Sequence, residues 1–92
     1  MAERSLRVDV VDRTAPVWSG PATFVTVPTP EGSIGVYPRH QPLLSVLGEG
    51  EVRIQSGDDA WLIVQVSGGF VSVDSDVVTV VTDTATLEPN TT

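Results

Sequence analysis

The chain is rich in β-branched residues and is interrupted at short intervals by glycine and proline, and this combination most limits what it can fold into. Its 92 residues include 17 valines and 10 threonines, together with 8 glycines and 7 prolines. β-Branched side chains lose rotamer freedom in a helix and pack well on a pleated sheet, whereas Gly and Pro end regular elements. The longest stretch without Gly or Pro, residues 70–88, is itself rich in Val and Thr. The sequence therefore predicts short strands throughout.

The spacing of these interruptions divides the chain into about ten extended segments. In the first of them Leu6, Val8 and Val10 alternate with more polar residues, which is typical of a half-buried strand. The predicted strands cover residues 6–11, 16–19, 22–27, 33–37, 43–47, 51–55, 61–66, 70–73, 77–81 and 85–87. Residues 56–59 and 74–76 are predicted hairpin loops. The pattern favours one all-β domain over residues 1–87, a sandwich or a barrel, followed by a polar tail at residues 88–92.

The expected core consists of the apolar side chains on the inner faces of these strands. It comprises Leu6, Val8, Val10, Phe24, Ile34, Val36, Leu44, Val46, Val52, Ile54, Leu62, Val64, Val66, Phe70, Val73, Val78 and Val80. Each of these side chains contributes about 1.5–3 kcal/mol when fully buried. Because the chain has no cysteine to form a disulfide, packing of this core has to hold the domain together.

The charge balance excludes several classes of partner. The chain has 12 acidic residues and 5 basic ones, all arginine, and a net charge of −7. Such a charge argues against nucleic-acid binding and against electrostatic attachment to anionic lipid. No apolar run approaches the length of a membrane span, so direct membrane insertion is not expected, and the first residues lack a signal-peptide core. The sequence predicts a cytosolic or cytosol-facing protein.

The residues that usually carry chemistry are nearly absent. His40 is the only histidine, and there is no cysteine or lysine. No serine lies in a G-x-S-x-G turn, and no set of acids and histidine has the spacing of a metal site. Residues 74–76, Asp-Ser-Asp, lack the rest of a calcium loop and are interpreted as a hairpin tip. No catalytic residue, metal or cofactor is therefore expected.

Backbone-restricting residues cluster around His40. Gly32 can adopt the positive φ of a turn, and Gly35 within a strand suggests a bulge or another backbone passing close. Pro38 and Pro42 fix φ on both sides of the histidine. The segment is expected to form a stiff corner, and two interpretations remain open. It is either a crossing between sheets whose histidine caps nearby carbonyls, or a surface that docks a partner.

Five segments of the chain together resemble the epsilon subunit of F-type ATP synthases, which is called delta in mitochondria. The central motif, over residues 31–44, is the most specific, and the segment that begins Ser67-Gly68-Gly69-Phe70 supports it. The matching segments are Trp18-Ser19-Gly20, Glu31-Gly32-x-Ile34-Gly35-x-x-Pro38-x-His40-x-Pro42-Leu43-Leu44, Gly50-x-Val52-Arg53-Ile54, Ser67-Gly68-Gly69-Phe70-x-x-Val73, and Val77-x-Thr79-Val80 through Asp83-Thr84-Ala85. Their order and spacing cover nearly the whole chain.

The resemblance implies a flattened ten-stranded antiparallel β-sandwich without an active site. It implies a rotor subunit that docks on the gamma shaft and on the ring of c subunits, at the cytoplasmic face of the bacterial cell membrane, and couples proton flow to ATP synthesis and hydrolysis. The alternative from another class is a free-standing β-sandwich that binds a peptide or small ligand.

The resemblance also assigns residues to the two partners. Glu31, Gly32 and Ser33 match the family turn that lies against the c-ring. The family positions that face gamma are matched by His40, Pro42, Ser45 and, less securely, Asp12. Glu31 would offer a charge to basic loops of the ring, useful mainly for placement. Ser33 replaces an acid found in some members. For every one of these residues the alternative is an ordinary solvated loop.

Members of this family commonly continue into a C-terminal pair of helices, which can block rotation and in some members binds ATP. The sequence in hand ends at Thr92. We therefore expect neither helix-based inhibition nor ATP binding in this chain.

Overall fold

The ten expected strands form two five-stranded sheets. A computed structural model describes residues 5–56 and 60–88. The strands are β1 (Leu6–Val11), β2 (Pro16–Ala22), β3 (Phe24–Thr29), β4 (Gly32–Val36), β5 (Leu43–Val46), β6 (Glu49–Ser56), β7 (Ala60–Ser67), β8 (Phe70–Asp74), β9 (Val77–Val81) and β10 (Thr84–Leu87). Of the predicted loop at residues 56–59, positions 57–59 lie outside the described residues. So does the predicted tail, except Glu88, whose amide donates to the Ile63 carbonyl at 2.9 Å.

The two sheets stack as a flattened sandwich of about 38 × 31 × 25 Å. The first sheet has the order β2-β1-β9-β8-β5 and the second the order β10-β7-β6-β3-β4. The all-β sandwich predicted from the sequence is confirmed. One strand pair departs from the antiparallel expectation, because β1 and β9 run parallel, with Val8 beside Val78. The described residues form no helix that could cross a membrane.

The strand β2 is longer than the sequence predicts. It continues through Gly20 and Pro21, which pair with Val8 and Arg7 of β1. Proline is tolerated here because β2 is an edge strand. Within the described residues there is no strand on its outer side that would need a hydrogen bond from the missing N–H. The Trp18 ring lies over Gly20, where a Cβ atom would come within 2.9 Å of it.

The core lies between the sheets and is dominated by valine. Its members alternate along each strand, so that every second residue points inward. They are Leu6, Val8, Val10, Ala22, Val25, Val27, Val36, Leu47, Val52, Ile54, Val64, Val66, Val71, Val73, Val78 and Val80. Ile34 and Leu62 are partly buried against this core.

Four residues expected in the core lie elsewhere. Leu44, Val46 and Phe70 are 73%, 62% and 48% exposed on the outer face of the first sheet. Phe24 is half-buried on the outer face of the second sheet, where its ring stacks on Tyr37 with centroids 4.4 Å apart. In each strand the inward positions belong to the alternate residues, such as Val25 and Val71. These four predictions were wrong because apolar character alone does not say which face of a strand a residue occupies.

Backbone hydrogen bonds between a loop and a strand distinguish the two ends of the sandwich. At one end the Gly48 amide donates to the Pro28 carbonyl at 2.9 Å, beside the turn that joins β3 to β4. We call this the turn end. At the opposite end the Arg7 amide donates to the Asp76 carbonyl at 2.8 Å, beside the segment that crosses from β4 to β5. We call this the corner end, and residues 37–42 the crossover.

Candidate docking surfaces

The turn between β3 and β4 places Glu31, Gly32 and Ser33 on the surface at the turn end, and all three are exposed. Gly32 has a φ of 133°, so the positive φ expected there is confirmed. The Thr29 hydroxyl donates to the Gly32 carbonyl at 2.5 Å and accepts the Glu31 amide at 3.3 Å. The turn is therefore held by its own backbone and by Thr29, and the Glu31 carboxylate is not needed to hold it.

The crossover carries His40 and Pro42 from the second sheet to the first at the corner end. Arg39 has a φ of 71°, which is uncommon for a residue other than glycine. The Nδ1 atom of His40 lies 2.7 Å from the Gln41 carbonyl oxygen. Because a carbonyl only accepts, Nδ1 carries the proton in this bond. The histidine thus binds a nearby carbonyl, as the first interpretation expected, and this bond leaves Nε2 for a partner.

An exposed apolar patch, defined by Leu44, Val46 and Phe70, lies beside the crossover on β5 and β8. Val46 pairs with Phe70 across the two strands, and Leu44 pairs with Ser72. The surface forms a shallow depression of about 410 Å³ lined by the patch and Ser45. Ser45 is half-buried, and its hydroxyl donates to the Val46 carbonyl at 3.2 Å. Contiguous exposed apolar surface of this kind marks interaction sites.

Sequence reasoning missed the apolar patch by placing its three residues in the core. A signal was nevertheless present in β8. Val71 and Val73 are two positions apart and share one face, whereas Phe70 is three positions from Val73 and has to face the other way.

Asp12 lies apart from the other residues assigned to gamma. It follows β1 at the turn end, whereas His40 is at the corner end, and β1 and β5 are three strands apart in the sheet. Its Oδ1 accepts the Thr14 amide at 2.9 Å, the Ala15 amide at 3.0 Å and the Thr14 hydroxyl at 2.9 Å. These donors, the Thr14 amide above all, lower the pKa of the Asp12 carboxyl below its ordinary value. The carboxylate already has a structural task in its own loop.

The remaining predicted residues share one side of the molecule. Strand β5 starts at the crossover, passes Ser45 and the apolar patch, and finishes at the turn end, where Gly48 bonds to the strand that leads to Glu31. His40, Pro42 and Ser45 therefore follow one edge of the sandwich, and the turn at Glu31 lies at its foot. Within residues 5–56 and 60–88, no group of three His, Cys, Asp or Glu side chains is placed to hold a metal ion. The edge along β5 and the turn at Glu31 are therefore candidate contact surfaces for other molecules.

Comparison with known proteins identifies the family. The family described as ATP synthase, delta/epsilon chain, beta-sandwich domain, matches residues 5–88. The chain belongs to this family. Proteins named ATP synthase epsilon chain are similar to it in sequence. That of Neisseria gonorrhoeae (strain ATCC 700825 / FA 1090) is 43% identical over 81 residues, which are 87% of this chain and 58% of the relative. That of Micrococcus luteus is 42% identical over 87 residues, which are 95% of this chain and 93% of the relative.

The relatives differ in how much of their own length the chain covers. The chain spans 58% of the length of the Neisseria relatives it matches. Two solved structures share its fold. A chain of the Euglena gracilis mitochondrial ATP synthase, in a structure of OSCP, F1 and c-ring, has a TM-score of 0.86 at 22% identity and covers 92% of this chain and 54% of its own. A chain in a structure of the Tetrahymena thermophila mitochondrial ATP synthase central stalk and c-ring has a TM-score of 0.72 at 15% identity. That match covers 94% of this chain and 69% of the Tetrahymena chain.

Proposed function

We propose that the chain is a non-catalytic rotor subunit of an F-type ATP synthase, which docks on the gamma shaft and on the c-ring and couples proton flow to ATP synthesis and hydrolysis. The observation that carries the proposal is the edge formed by β5. An exposed apolar patch lies on this edge, next to the residues that the resemblance assigns to gamma. The chain also belongs to a family described as the delta/epsilon chain of ATP synthase. In this proposal the protein is peripheral, held at the cytoplasmic face of the bacterial membrane by its partners.

The gamma shaft would lie along β5 in this arrangement. The patch supplies apolar area, and His40 and Pro42 at the corner end extend the contact along the same edge. Burial of apolar surface drives most protein association, and large apolar side chains near the centre of an interface contribute most of its free energy. Leu44 is the most exposed of the three patch residues, at 73%. We therefore place it at the centre of the gamma contact.

The c-ring would lie against the turn at the foot of β5. Glu31 and Ser33 are exposed there, and the backbone of the turn is fixed by Thr29. A preformed turn has little conformational entropy to lose when it docks. The carboxylate of Glu31 would select the orientation of the subunit against basic loops of the ring.

Binding to purified gamma tests the first contact. Leu44→Asp places a charge on the apolar patch and is expected to weaken gamma binding by at least about tenfold in a calorimetric titration. Leu87→Asp is the matched control, because Leu87 is also exposed, at 41%, but lies in the edge strand β10 of the second sheet. Equal gamma affinities of the two variants would move the contact away from the apolar patch, and failure of the natural chain to bind gamma would argue for a free-standing binding module.

Cross-linking in the assembled complex tests the second contact. The natural chain has no cysteine, so a single introduced thiol reports one position. Ser33→Cys is expected to cross-link to c subunits. Ser75→Cys lies in the β8–β9 hairpin at the opposite, corner end and is expected to give no such product. A ring cross-link from Ser75→Cys alone would reverse the proposed orientation.

A further inference from the structure

The hairpin between β8 and β9 reaches the crossover through one aspartate. The Oδ1 atom of Asp76 accepts the backbone N–H of Arg39 at 2.6 Å, although the two residues are 37 positions apart in the chain. The carbonyl oxygen of Asp76 accepts the Arg7 amide at 2.8 Å. The backbone of Asp76 is thus fixed by the first sheet, and its side chain fixes the segment that arrives from the second sheet.

The crossover needs such an acceptor. Arg39 holds a φ of 71°, a conformation that costs free energy and persists only where the surroundings impose it. Pro38 and Pro42 have no N–H, so two of the six residues of the crossover cannot donate a backbone hydrogen bond. A carboxylate bonded to a backbone N–H forms a short, strong hydrogen bond. The bond from Arg39 to Asp76 therefore stabilises the uncommon backbone conformation of Arg39 within this segment.

His40 follows Arg39 directly, and its ring is oriented by the same backbone. The Nδ1–H group donates to the Gln41 carbonyl oxygen at 2.7 Å, so the position of the imidazole depends on where the backbone of residues 39–41 lies. We propose that Asp76 is a positioning residue for docking to gamma: by holding the Arg39 amide, it sets the place of His40 at the edge where the shaft binds. This inference rests on the proposed function, and it adds a residue that does not itself touch the shaft.

Two substitutions of Asp76 separate the hydrogen bond from the backbone conformation. Asp76 has a φ of 65°, which both Asn and Gly tolerate. Asp76→Asn keeps an oxygen that can accept the Arg39 amide, whereas Asp76→Gly removes the acceptor and leaves the turn unstrained. We expect Asp76→Gly to weaken binding to purified gamma about tenfold and Asp76→Asn to stay within about twofold of the natural chain.

A measurement without gamma reports the same bond. Hydrogen exchange at the Arg39 amide is expected to accelerate in Asp76→Gly and to stay slow in Asp76→Asn, while the thermal unfolding midpoints of both variants remain close to that of the natural chain. Ser75→Gly is the matched control, because Ser75 is the neighbouring hairpin residue with a positive φ, 53°, and its side chain bonds only to Asp74 among the described residues. It should change neither gamma affinity nor Arg39 exchange.

The outcomes separate this inference from the proposed function. Normal gamma binding by Asp76→Gly overturns the positioning role and leaves the rotor assignment standing. Failure of the natural chain to bind gamma overturns both. Weak binding by Asp76→Gly with recovery in Asp76→Asn supports the inference, and equal weakening in Ser75→Gly contradicts it.

Discussion

At the scale of single residues, a positive φ occurs for two different reasons in this fold. Among the described residues it is found at Gly32, Gly50, Gly68, Gly69, Arg39, Ser75 and Asp76. Gly32 lies in an open turn, where an added Cβ atom would meet nothing within 4 Å. At Gly69 the neighbouring backbone fills the space, because a Cβ atom would overlap the Val81 carbonyl oxygen and lie 2.7 Å from the Thr82 Cα atom. The first glycine serves conformation alone, and the second also serves a close approach of two chain segments.

This difference predicts unequal costs for the same substitution. Gly32→Ala adds only backbone strain and should lower the free energy of unfolding by about 1 kcal/mol. Gly69→Ala adds a clash with main-chain atoms, which cannot move without displacing β9, and should cost about 3 kcal/mol or more. Denaturant unfolding of both variants measures the gap. Similar costs would mean that the contact of Gly69 with residues 81–82 gives way easily.

Asp12 makes stability depend on pH in a direction that its contacts determine. Its folded-state pKa is lowered by the Thr14 amide, the Ala15 amide and the Thr14 hydroxyl. A group with a lowered folded pKa stabilises the fold above its ordinary pKa, and this stabilisation is lost as the pH falls through the folded value. Asp12→Ala should therefore unfold more easily than the natural chain at neutral pH, and the difference should narrow in acid.

Asp12→Asn is the control for this titration. The asparagine oxygen can accept the same donors but does not ionise, so the difference between Asp12→Asn and Asp12→Ala should not vary with pH. Denaturant unfolding between neutral pH and the acid range below the ordinary aspartate pKa checks both statements. A difference between Asp12→Ala and the natural chain that is constant with pH would contradict the assignment.

At the scale of elements, the sequence predicted the strands better than their faces. In β6 the alternation is strict, and Val52 and Ile54 are buried as expected. In β5 the four residues Leu-Leu-Ser-Val place apolar groups on both sides, so the pattern does not show which side faces the core. Length gives no help either, because β5 is a short edge strand. In an edge strand that is apolar on both faces, one face can pack against the core while the other is exposed for docking.

The candidate site divides in the same way. The turn at Glu31 and the corner at His40 could be predicted, because glycine and proline mark them in the sequence and the family motif names them. The apolar patch could not be predicted from composition, since the residue type does not show whether a leucine is exposed or buried. The hydrogen bond that holds Asp12 joins neighbouring residues, and an aspartate two residues before a threonine is too common a pattern to predict it.

Substitutions on the two faces of β5 and β8 should change the free energy of unfolding by different amounts. Val71→Ala removes two buried methyl groups from the core and should lower the free energy of unfolding by about 2 kcal/mol. Leu44→Thr, on the outer face of the neighbouring strand, should change it by less than about 0.5 kcal/mol. Thermal or urea unfolding of the two variants checks the assignment. A large loss of stability from Leu44→Thr would restore Leu44 to the core.

At the scale of the whole molecule, the exposed apolar patch on β5 and β8 is separate from the charged turn at Glu31. The chain has a net charge of −7, yet the depression along β5 is lined only by Leu44, Ser45, Val46 and Phe70. The carboxylate of Glu31 lies beyond the finish of that strand, at the turn end. In the proposed arrangement, the chain would bind gamma through burial of apolar surface along β5 and would be oriented on the c-ring by the charge of Glu31.

This separation predicts how binding to gamma responds to temperature and salt. Burial of the apolar patch gives a negative heat-capacity change, which calorimetric titrations at several temperatures measure.

The affinity for gamma should change by less than about fivefold between about 0.01 M and about 1 M salt, over which the Debye length falls from about 30 to about 3 Å. The association rate should vary with salt more than the affinity does, because a net charge of −7 steers the encounter with a charged partner. Glu31→Gln should leave gamma affinity unchanged, since the turn lies away from the patch. A steep loss of gamma affinity with salt, or a heat-capacity change near zero, would mean that charges and not the β5 edge hold the shaft.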